Sequence, residues 1–244
     1  MFLDDTGIVL KTVRYDDTSS VVHIFTRSHG TVPFLVTRPR NRASSNASIA
    51  SLMTPMGFLS FQWNKKPTQT LYRLRDVHAA QVWQALPYHP VKRAIVLMLA
   101  ESLAAMLREE GENVPLFDDI TRALCWLDEA EEGYANFHLV FLLRVARALG
   151  VAPYTDSFAT GHSFDIESAL FVPYATASPL VMTPPDAEIF YRLSQADYPL
   201  MASIRMAHND RTRLLTYLNR FFILHLPAFP ELKSLDILES LFND

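Results

Sequence analysis

Three arginines at alternate positions are the clearest candidates for chemistry in this chain. Arg38, Arg40 and Arg42 lie in a segment rich in Pro and Ser, residues 38–46, that contains no acidic residue. A guanidinium is always charged and presents its N–H donors as a planar fork, which suits phosphate oxygens. We therefore expect residues 38–42, called the arginine segment below, to bind a polyanion. Four further N-terminal cations would extend the same groove: Lys11, Arg14, Lys65 and Lys66.

The charge of the chain is unevenly distributed. The formal net charge is −4 at pH 7, which by itself argues against nucleic-acid binding. Residues 1–80, however, hold ten Lys or Arg and five Asp or Glu. Residues 81–244 hold 12 Lys or Arg and 21 Asp or Glu. A basic N-terminal module on an acidic body fits a local polyanion site better than the total charge suggests. The alternative is an uneven spread of ordinary solvated charge.

Residue types used in catalysis are present, but not at catalytic spacings. The eight histidines form neither a His-x-x-x-His pair nor a His-Glu-x-x-His motif, and the seven glycines form no phosphate loop. Cys125 lies beside Trp126 in an apolar helical stripe, which is typical of a buried structural thiol. Adjacent acids such as Asp118 and Asp119 point apart on a helix, which favours capping and solvation over metal binding. We interpret the chain as a binding protein, not an enzyme, with no catalytic residue and no cofactor.

A small antiparallel β-domain is predicted to carry the N-terminal cations. Residues 7–14, 21–26 and 31–37 have β-branched or alternating patterns and are separated by short turns, which favours a meander. Gly30 in the second turn supplies a positive φ without steric cost. Residues 59–63 and 70–74 complete five strands. Most aromatic residues of these strands should lie in the core, and the remainder could stack on bases; they are Phe34, Phe58, Phe61, Trp63 and Tyr72.

The pattern from residue 76 onward is helical. Asp76 suits the N-cap of a helix over residues 76–86. A long helix over 91–110 is apolar nearly all round and should be the central buried helix, capped by Gly111. Four more helices are predicted at residues 115–131, 136–149, 186–193 and 211–225, and residues 151–185 are proline-rich and irregular. We thus predict two domains, 1–80 and 81–244.

The order of these features resembles the RecO family of bacterial DNA repair and recombination mediators. The matching N-terminal residues are Gly7, the Ile8-Val-Leu-Lys11 strand, Thr26-Arg27, His29-Gly30 and the arginine segment. The helical part matches at Leu116-Phe117, at Phe141-Leu-Leu-Arg144 and in the Leu232-Lys-Ser-Leu235 turn. The resemblance implies an α+β protein, with a five-stranded OB-fold barrel that binds nucleic acid followed by an all-helical domain.

The resemblance fails at one place. Many members of the family hold zinc on four cysteines in the region that corresponds to residues 151–185, but the only cysteine of this chain is Cys125. His162 alone cannot replace a site that needs about four N or S ligands. We therefore expect no metal, and apolar packing in its place by Phe158, Phe164, Phe171 and Tyr174.

The resemblance also implies a function and partners. Family members anneal complementary strands and load recombinase onto DNA coated by single-strand-binding protein, together with RecR. They capture the acidic, apolar C-terminal tail of single-strand-binding protein on the helical body, in a pocket whose rim needs Arg or Lys. The rim candidates here are Lys92, Arg93, Arg144 and Arg147.

Other functions remain open from the sequence. A protein–protein scaffold whose barrel has lost DNA binding would suit the negative net charge and the missing cysteines, and a hydrolase would need histidines and carboxylates that only folding brings together. No apolar run reaches the roughly 18–20 residues of a membrane span. The first residues are acidic where a signal peptide is basic, so we expect a cytoplasmic, nucleoid-associated protein.

Overall fold

The computed structural model describes residues 2–37, 49, 52–66, 68–173 and 178–235. The chain forms two compact units, residues 1–121 and 122–244. The arginine segment, Tyr174 and the C-terminal residues 236–244 lie outside the described residues. The boundary at residue 80 stays a prediction.

The first unit is built on a five-stranded antiparallel sheet. Its strands are β1 (Leu3–Arg14), β2 (Ser19–Thr26), β3 (Gly30–Thr37), β4 (Phe58–Trp63) and β5 (Arg75–Gln81). They pair in the order β3-β2-β1-β4-β5, so the first strand of the chain lies at the centre. The predicted fold class, an N-terminal five-stranded sheet followed by helices, is confirmed.

The two edges of this sheet approach each other at one point. Just before β5, the Tyr72 N–H donates to the carbonyl oxygen of Pro33 (3.2 Å), and the Leu35 N–H donates to the carbonyl oxygen of Tyr72 (2.8 Å). Tyr72 thereby pairs in parallel with Phe34 of the edge strand β3. The pairing curls the sheet around its core as in an OB-fold.

Aromatic rings fill the inside of the sheet. Phe34 lies 5.4 Å from Phe61 and 5.4 Å from Trp63, and Trp63 lies 4.9 Å from Tyr72, measured between ring centroids. Phe34, Phe61 and Trp63 are almost fully buried. Phe58 is half-buried and packs on Phe117. The prediction that most of these aromatics are core residues is confirmed, and the three buried rings present no face to a base.

The helix predicted for residues 76–86 is wrong. Residues 75–81 form β5, in which Ala79 pairs with Leu59 and His78 with Ser60 of β4. Strand pairing overrides the helical pattern here, because Phe58, Leu59, Ser60 and Gln62 of β4 gain partners from this segment. Asp76 has a φ of 48° and is not a helix cap. The strand predicted at residues 70–74 is reduced to the single bridge at Tyr72.

Gly30 ends the tight turn between β2 and β3. Its φ is +71°, as predicted. A Cβ at this position would also overlap the carbonyl oxygen of Glu110, which accepts a hydrogen bond from the Thr31 N–H (3.1 Å). Gly30 is thus required both by its backbone conformation and by close approach of another chain segment.

Replacing Gly30 with alanine should lower the free energy of unfolding by about 2 kcal/mol or more, because left-handed strain and a backbone overlap add together. Urea unfolding followed by circular dichroism measures the loss. Gly150→Ala is the control that isolates backbone strain, because Gly150 has a φ of +75° and open space around it. Gly111→Ala is the control without either effect, because Gly111 has open space and no positive φ. Equal losses for Gly30→Ala and Gly150→Ala would contradict the role of the Glu110 contact.

Helices complete the first unit and lead into the second. Helix α1 (Pro90–Met106) begins with proline at its first turn and is buried on most sides, including Ile95, Met98 and Leu99. The predicted central buried helix is confirmed, although it ends before the predicted Glu110. Helix α2 (Val114–Glu129) runs across the division between the two units.

The second unit combines helices with a very small sheet. Its helices are α3 (Phe137–Ala148), α4 (Pro184–Gln195), α5 (Tyr198–Met201) and α6 (His208–His225). Within residues 151–185, predicted as irregular, the strands β6 (Ser163–Asp165), β7 (Leu170–Val172) and β8 (Val181–Met182) pair in the order β7-β6-β8. Strands of two or three residues are too short to show a period in the sequence.

Aromatic packing supports this small sheet. The Phe164 ring lies 4.8 Å from Phe171 and 5.0 Å from Phe190, and Phe158 stacks on Tyr191 at 3.9 Å. The predicted packing of Phe158, Phe164 and Phe171 is confirmed. Within the described part of the chain, no group of three or more His, Cys, Asp or Glu could hold a metal ion, and no helix is long and apolar enough to cross a membrane.

Candidate nucleic-acid interface

The long strand β1 separates the predicted phosphate-binding residues into two groups. Arg14 at one end of β1 pairs with Ser20, and the neighbouring Ser19 pairs with Thr37, after which the arginine segment begins. Leu3 at the other end pairs with Trp63, and the exposed Lys65 and Lys66 follow one residue later in the chain. A strand rises about 3.3 Å per residue, so the two ends lie on the order of 35 Å apart along β1. Lys65 and Lys66 therefore do not share a patch with Arg14.

The turn between β1 and β2 holds Arg14 in an exposed ion pair. The Arg14 Nη2 atom lies 2.5 Å from Asp17 Oδ1, and both side chains are exposed to solvent. Such a pair contributes little to stability because water and salt screen it. The Arg14 guanidinium can therefore exchange the Asp17 carboxylate for a phosphate at low cost in free energy.

The same turn presents an exposed aromatic residue. The N–H groups of Tyr15 and Asp16 donate to the carbonyl oxygen of Ser19 (3.1 and 3.3 Å), and Asp16 Oδ1 accepts from the Thr18 N–H at 2.6 Å. The hydrogen bond from Thr18 lowers the pKa of Asp16, so the turn is closed by a carboxylate. Tyr15 is 64 % exposed at the edge of this ordered turn. Tyr15 was not among the aromatic residues predicted to stack on bases.

One face of the β1–β2–β3 meander is half-exposed. Strand register places Lys11 beside His23 and Pro33, and Val13 beside Val21 and Leu35. These six residues, called the outer face below, alternate with core residues such as Val22 and Ile24. Three of the four hydrophobic residues of the set are half-buried, and Val13 is 48 % exposed.

Lys11 and Arg108 place two positive charges near the His23 imidazole of the outer face. Burial lowers the pKa of His23, and the positive charges of Lys11 and Arg108 lower it further. Arg108 is exposed, just beyond the end of α1. Neither His23 nor Arg108 was among the predicted site residues, because only the strand register and the end of α1 bring them to Lys11.

Arg27 at the other end of β2 is already paired. Its Nε lies 3.0 Å from Asp118 Oδ1 and its Nη2 lies 3.2 Å from Asp118 Oδ2, within the first unit. The hydrogen bond to Asp118 raises the pKa of Arg27. A bidentate pair of this kind holds the guanidinium in place and reduces its availability for a phosphate.

A serine, a histidine and a carboxylate lie together in the structure, but the serine is not placed to act as a nucleophile. Ser28 Oγ donates to Asp5 Oδ2 (2.6 Å) and lies 2.9 Å from His29 Nδ1; Asp5 Oδ2 lies 3.4 Å from the same ring nitrogen. In a catalytic triad the serine and the carboxylate bind opposite nitrogens of the imidazole, and the serine proton goes to the base. Here both lie at Nδ1, and the buried Asp5 also accepts from Trp63 Nε1 (3.4 Å). The cluster anchors the turn before Gly30.

Cys125 also fits the structural role predicted for it. The thiol is half-buried at the middle of α2. Burial raises the pKa of Cys125, and the carboxylates of Glu129 and Asp128 raise it further. A reactive cysteine needs the opposite environment, one that favours the thiolate.

The four predicted rim residues lie on two helices. Arg93 on α1 is exposed, but the neighbouring Lys92 is only 4 % exposed, which does not suit an open rim. Arg144 and Arg147 lie one turn apart on α3. The Arg144 guanidinium lies 5.4 Å from the centroid of the Tyr198 ring, and Arg147 Nη2 donates to the carbonyl oxygen of Ser194 at 2.5 Å.

An aromatic stack lies beside Arg144 in the second unit. The rings of Trp126 and Phe137 are stacked and nearly parallel with centroids 5.9 Å apart, and the Phe137 centroid is 5.0 Å from that of Tyr198. Trp126 and Tyr198 are half-buried, so the stack reaches the surface. Apolar walls with an arginine at the edge suit a ligand that combines apolar and acidic groups. Sequence spacing gave no signal for Tyr198.

Comparison with known proteins covers both parts of the chain. The family described as Recombination protein O N terminal matches residues 1–83, and Recombination protein O C terminal matches residues 89–236. A protein of Phocaeicola vulgatus named DNA repair protein RecO is 39 % identical over 243 residues, and one of Bacteroides fragilis with that name is 37 % identical over 246 residues. A Porphyromonas gingivalis protein of the same name is 31 % identical over 248 residues. All three alignments cover 100 % of both chains.

Proposed function

Because this chain belongs to the RecO family of DNA repair proteins, we propose that it is a DNA-binding recombination mediator. In this role it promotes annealing of complementary strands and loading of recombinase onto single-stranded DNA coated by single-strand-binding protein, together with RecR. The observation that carries the proposal is the similarity along the full chain, joined to the excess of Lys and Arg in residues 1–80.

The principal DNA contact lies at the Arg14 end of the sheet. Lys11 and Arg14 are described there, and the arginine segment with Arg38, Arg40 and Arg42, outside the described residues, continues the chain after Thr37, which pairs with Ser19. Together these five cations would bind phosphates without regard to sequence. Lys65 and Lys66 form a separate, second contact at the opposite end of β1.

The second unit provides a surface for the tail of single-strand-binding protein. Trp126 and Tyr198 offer apolar walls, and Arg144 lies over the Tyr198 ring. Arg147 lies one turn further along α3, and Arg93 on α1 is a separate candidate. The apolar side chains of an acidic, apolar peptide would pack against these rings and leave water, and its carboxylates would pair with the guanidinium groups.

The proposed mechanism is binding, without a covalent step. Asp5, Ser28 and His29 hold a turn, and Cys125 favours its thiol form. Strand annealing then rests on neutralised phosphates, which let two strands approach. We place this activity in the cytoplasm at the nucleoid, with single- and double-stranded DNA as ligands.

The salt dependence of single-stranded DNA binding tests the proposal. For single strands, a plot of the logarithm of the binding constant against the logarithm of the salt concentration has a slope of about −0.7 per phosphate contact. All seven predicted cations would therefore give a slope of about −5, and Lys11, Arg14 and the three arginines of the arginine segment alone about −3.5. Fluorescence anisotropy of labelled oligonucleotides of unrelated sequence measures this slope. Absence of binding at low salt would support a scaffold instead, and the tail peptide of single-strand-binding protein would then be titrated alone.

A further inference from the structure

The outer face and the β1–β2 turn form a continuous surface on the first unit. Alternation along β1 places Lys11 and Val13 on the same side, and Tyr15 follows directly after Arg14, the last residue of the strand. Val13 and Tyr15 are exposed, at 48 % and 64 %. In OB-folds, the face of the second and third strands and the loop between the first and second are where oligonucleotides bind. Here these elements are the outer face and the turn that carries Tyr15.

We propose that this surface binds one short segment of single-stranded nucleic acid, with a base stacked on Tyr15 and a phosphate held by Lys11, His23 and Arg108. The inference rests on the proposed function, since it assumes that the chain binds DNA, and it assigns the contact to residues other than the arginine segment.

The cation cluster is suited to a phosphate. Lys11 and His23 are directly opposite in an antiparallel pair, where side chains lie about 5 Å apart. Arg108 comes two residues before Glu110, whose carbonyl oxygen accepts a hydrogen bond from the Thr31 N–H, and Thr31 lies two residues before Pro33 on the same face of β3. Lys11 and Arg108 supply positive charge for a phosphate, and one ring nitrogen of the His23 imidazole can donate an N–H to it.

Tyr15 is suited to stacking because its backbone is already fixed. The hydrogen bonds to the Ser19 carbonyl hold the residue in the turn, so an exposed ring costs little further ordering when a base binds. Tyr15 and Lys11 are about 13 Å apart along the strand, so one bound segment reaches both. The aromatic residues that the sequence pattern suggested for stacking are mainly core, which leaves Tyr15 as the exposed ring of this surface.

Two alanine variants of the full chain test the inference by anisotropy. Tyr15→Ala should weaken single-stranded DNA binding about tenfold without changing the salt slope, because base stacking is insensitive to salt. Arg108→Ala should reduce the slope by about 0.7, the loss of one phosphate contact. Tyr88→Ala and Arg205→Ala remove an equally exposed ring and cation elsewhere and should bind as the unmodified chain does.

An oligonucleotide with abasic positions separates stacking from damage to the turn. The unmodified chain and Tyr15→Ala should bind it equally, and Tyr15→Trp should bind the normal oligonucleotide at least as well as the unmodified chain. If Tyr15→Ala lost the same factor on both oligonucleotides, or if either alanine variant bound normally, the inference would be overturned while the proposed function stood. Absence of binding by the unmodified chain would overturn both.

Discussion

Replacing Arg38, Arg40 and Arg42 together with glutamate should reduce the affinity for single-stranded DNA by about two orders of magnitude or more at 0.1 M salt. Each lost phosphate contact removes a factor of about five at that salt concentration, and three introduced carboxylates add repulsion. The slope of the binding constant against salt should fall by about 2. Anisotropy titrations of the variant and the unmodified chain, each at several salt concentrations, give both quantities.

The control for this variant reverses charge in the second unit. Arg192 and Arg205 are exposed, and their replacement with glutamate changes the net charge in the same direction. The double variant should bind nearly as the unmodified chain does. If the triple variant bound normally as well, the arginine segment would not be part of the DNA contact, and the scaffold function would be favoured.

Acid should destabilise the second unit through one buried histidine. His138 on α3 is 1 % exposed, and burial, assisted by the positive charge of Arg211, lowers its pKa to about 3 from the usual 6.5. The unfolded chain therefore binds a proton between these two values and the folded chain does not. The free energy of unfolding is unaffected by this histidine above about pH 6.5 and falls as the pH drops toward 3. The loss is about 2 kcal/mol at pH 5 and up to about 5 kcal/mol near pH 3.

Urea unfolding between pH 4 and 8 measures this effect. His138→Leu removes the titrating group and should flatten the dependence below pH 6.5, even if it changes stability at pH 8. His78→Gln removes an exposed imidazole in β5 and should leave the curve of the unmodified chain unchanged. A His138→Leu curve that stayed as steep as that of the unmodified chain would assign the acid sensitivity to other groups.

The sequence predicted the elements with a clear period and missed those without one. Alternation identified β1 to β4, and the apolar run around Ile95 and Leu99 identified α1. Residues 75–81 carry little apolar area and form a strand because the edge of β4 offers hydrogen bonds, which is a tertiary cause. The sheet β6–β8 has strands too short to show alternation.

The candidate site shows a similar division. Residue type alone predicted Lys11, Arg14 and the arginine segment as phosphate-binding residues, but which predicted residues lie near one another depends on strand register. Register places Lys65 at the far end of β1 and brings His23 next to Lys11. The exposure of Tyr15 and the burial of Lys92 follow from packing, which the spacing of residues does not encode.

The central position of β1 also determines how the first unit can form during synthesis. The β1–β2–β3 meander pairs neighbours in sequence, so it can assemble as soon as residue 37 is available. The other edge of β1 waits for β4, since Leu3 pairs with Trp63. From residue 37 to residue 63 this delay lasts roughly 1 to 5 seconds at ribosomal rates, during which an open strand edge is a template for pairing with another nascent chain. We therefore expect the aggregation-prone intermediate of this protein to be the nascent chain in which the meander has emerged from the ribosome and β4 has not.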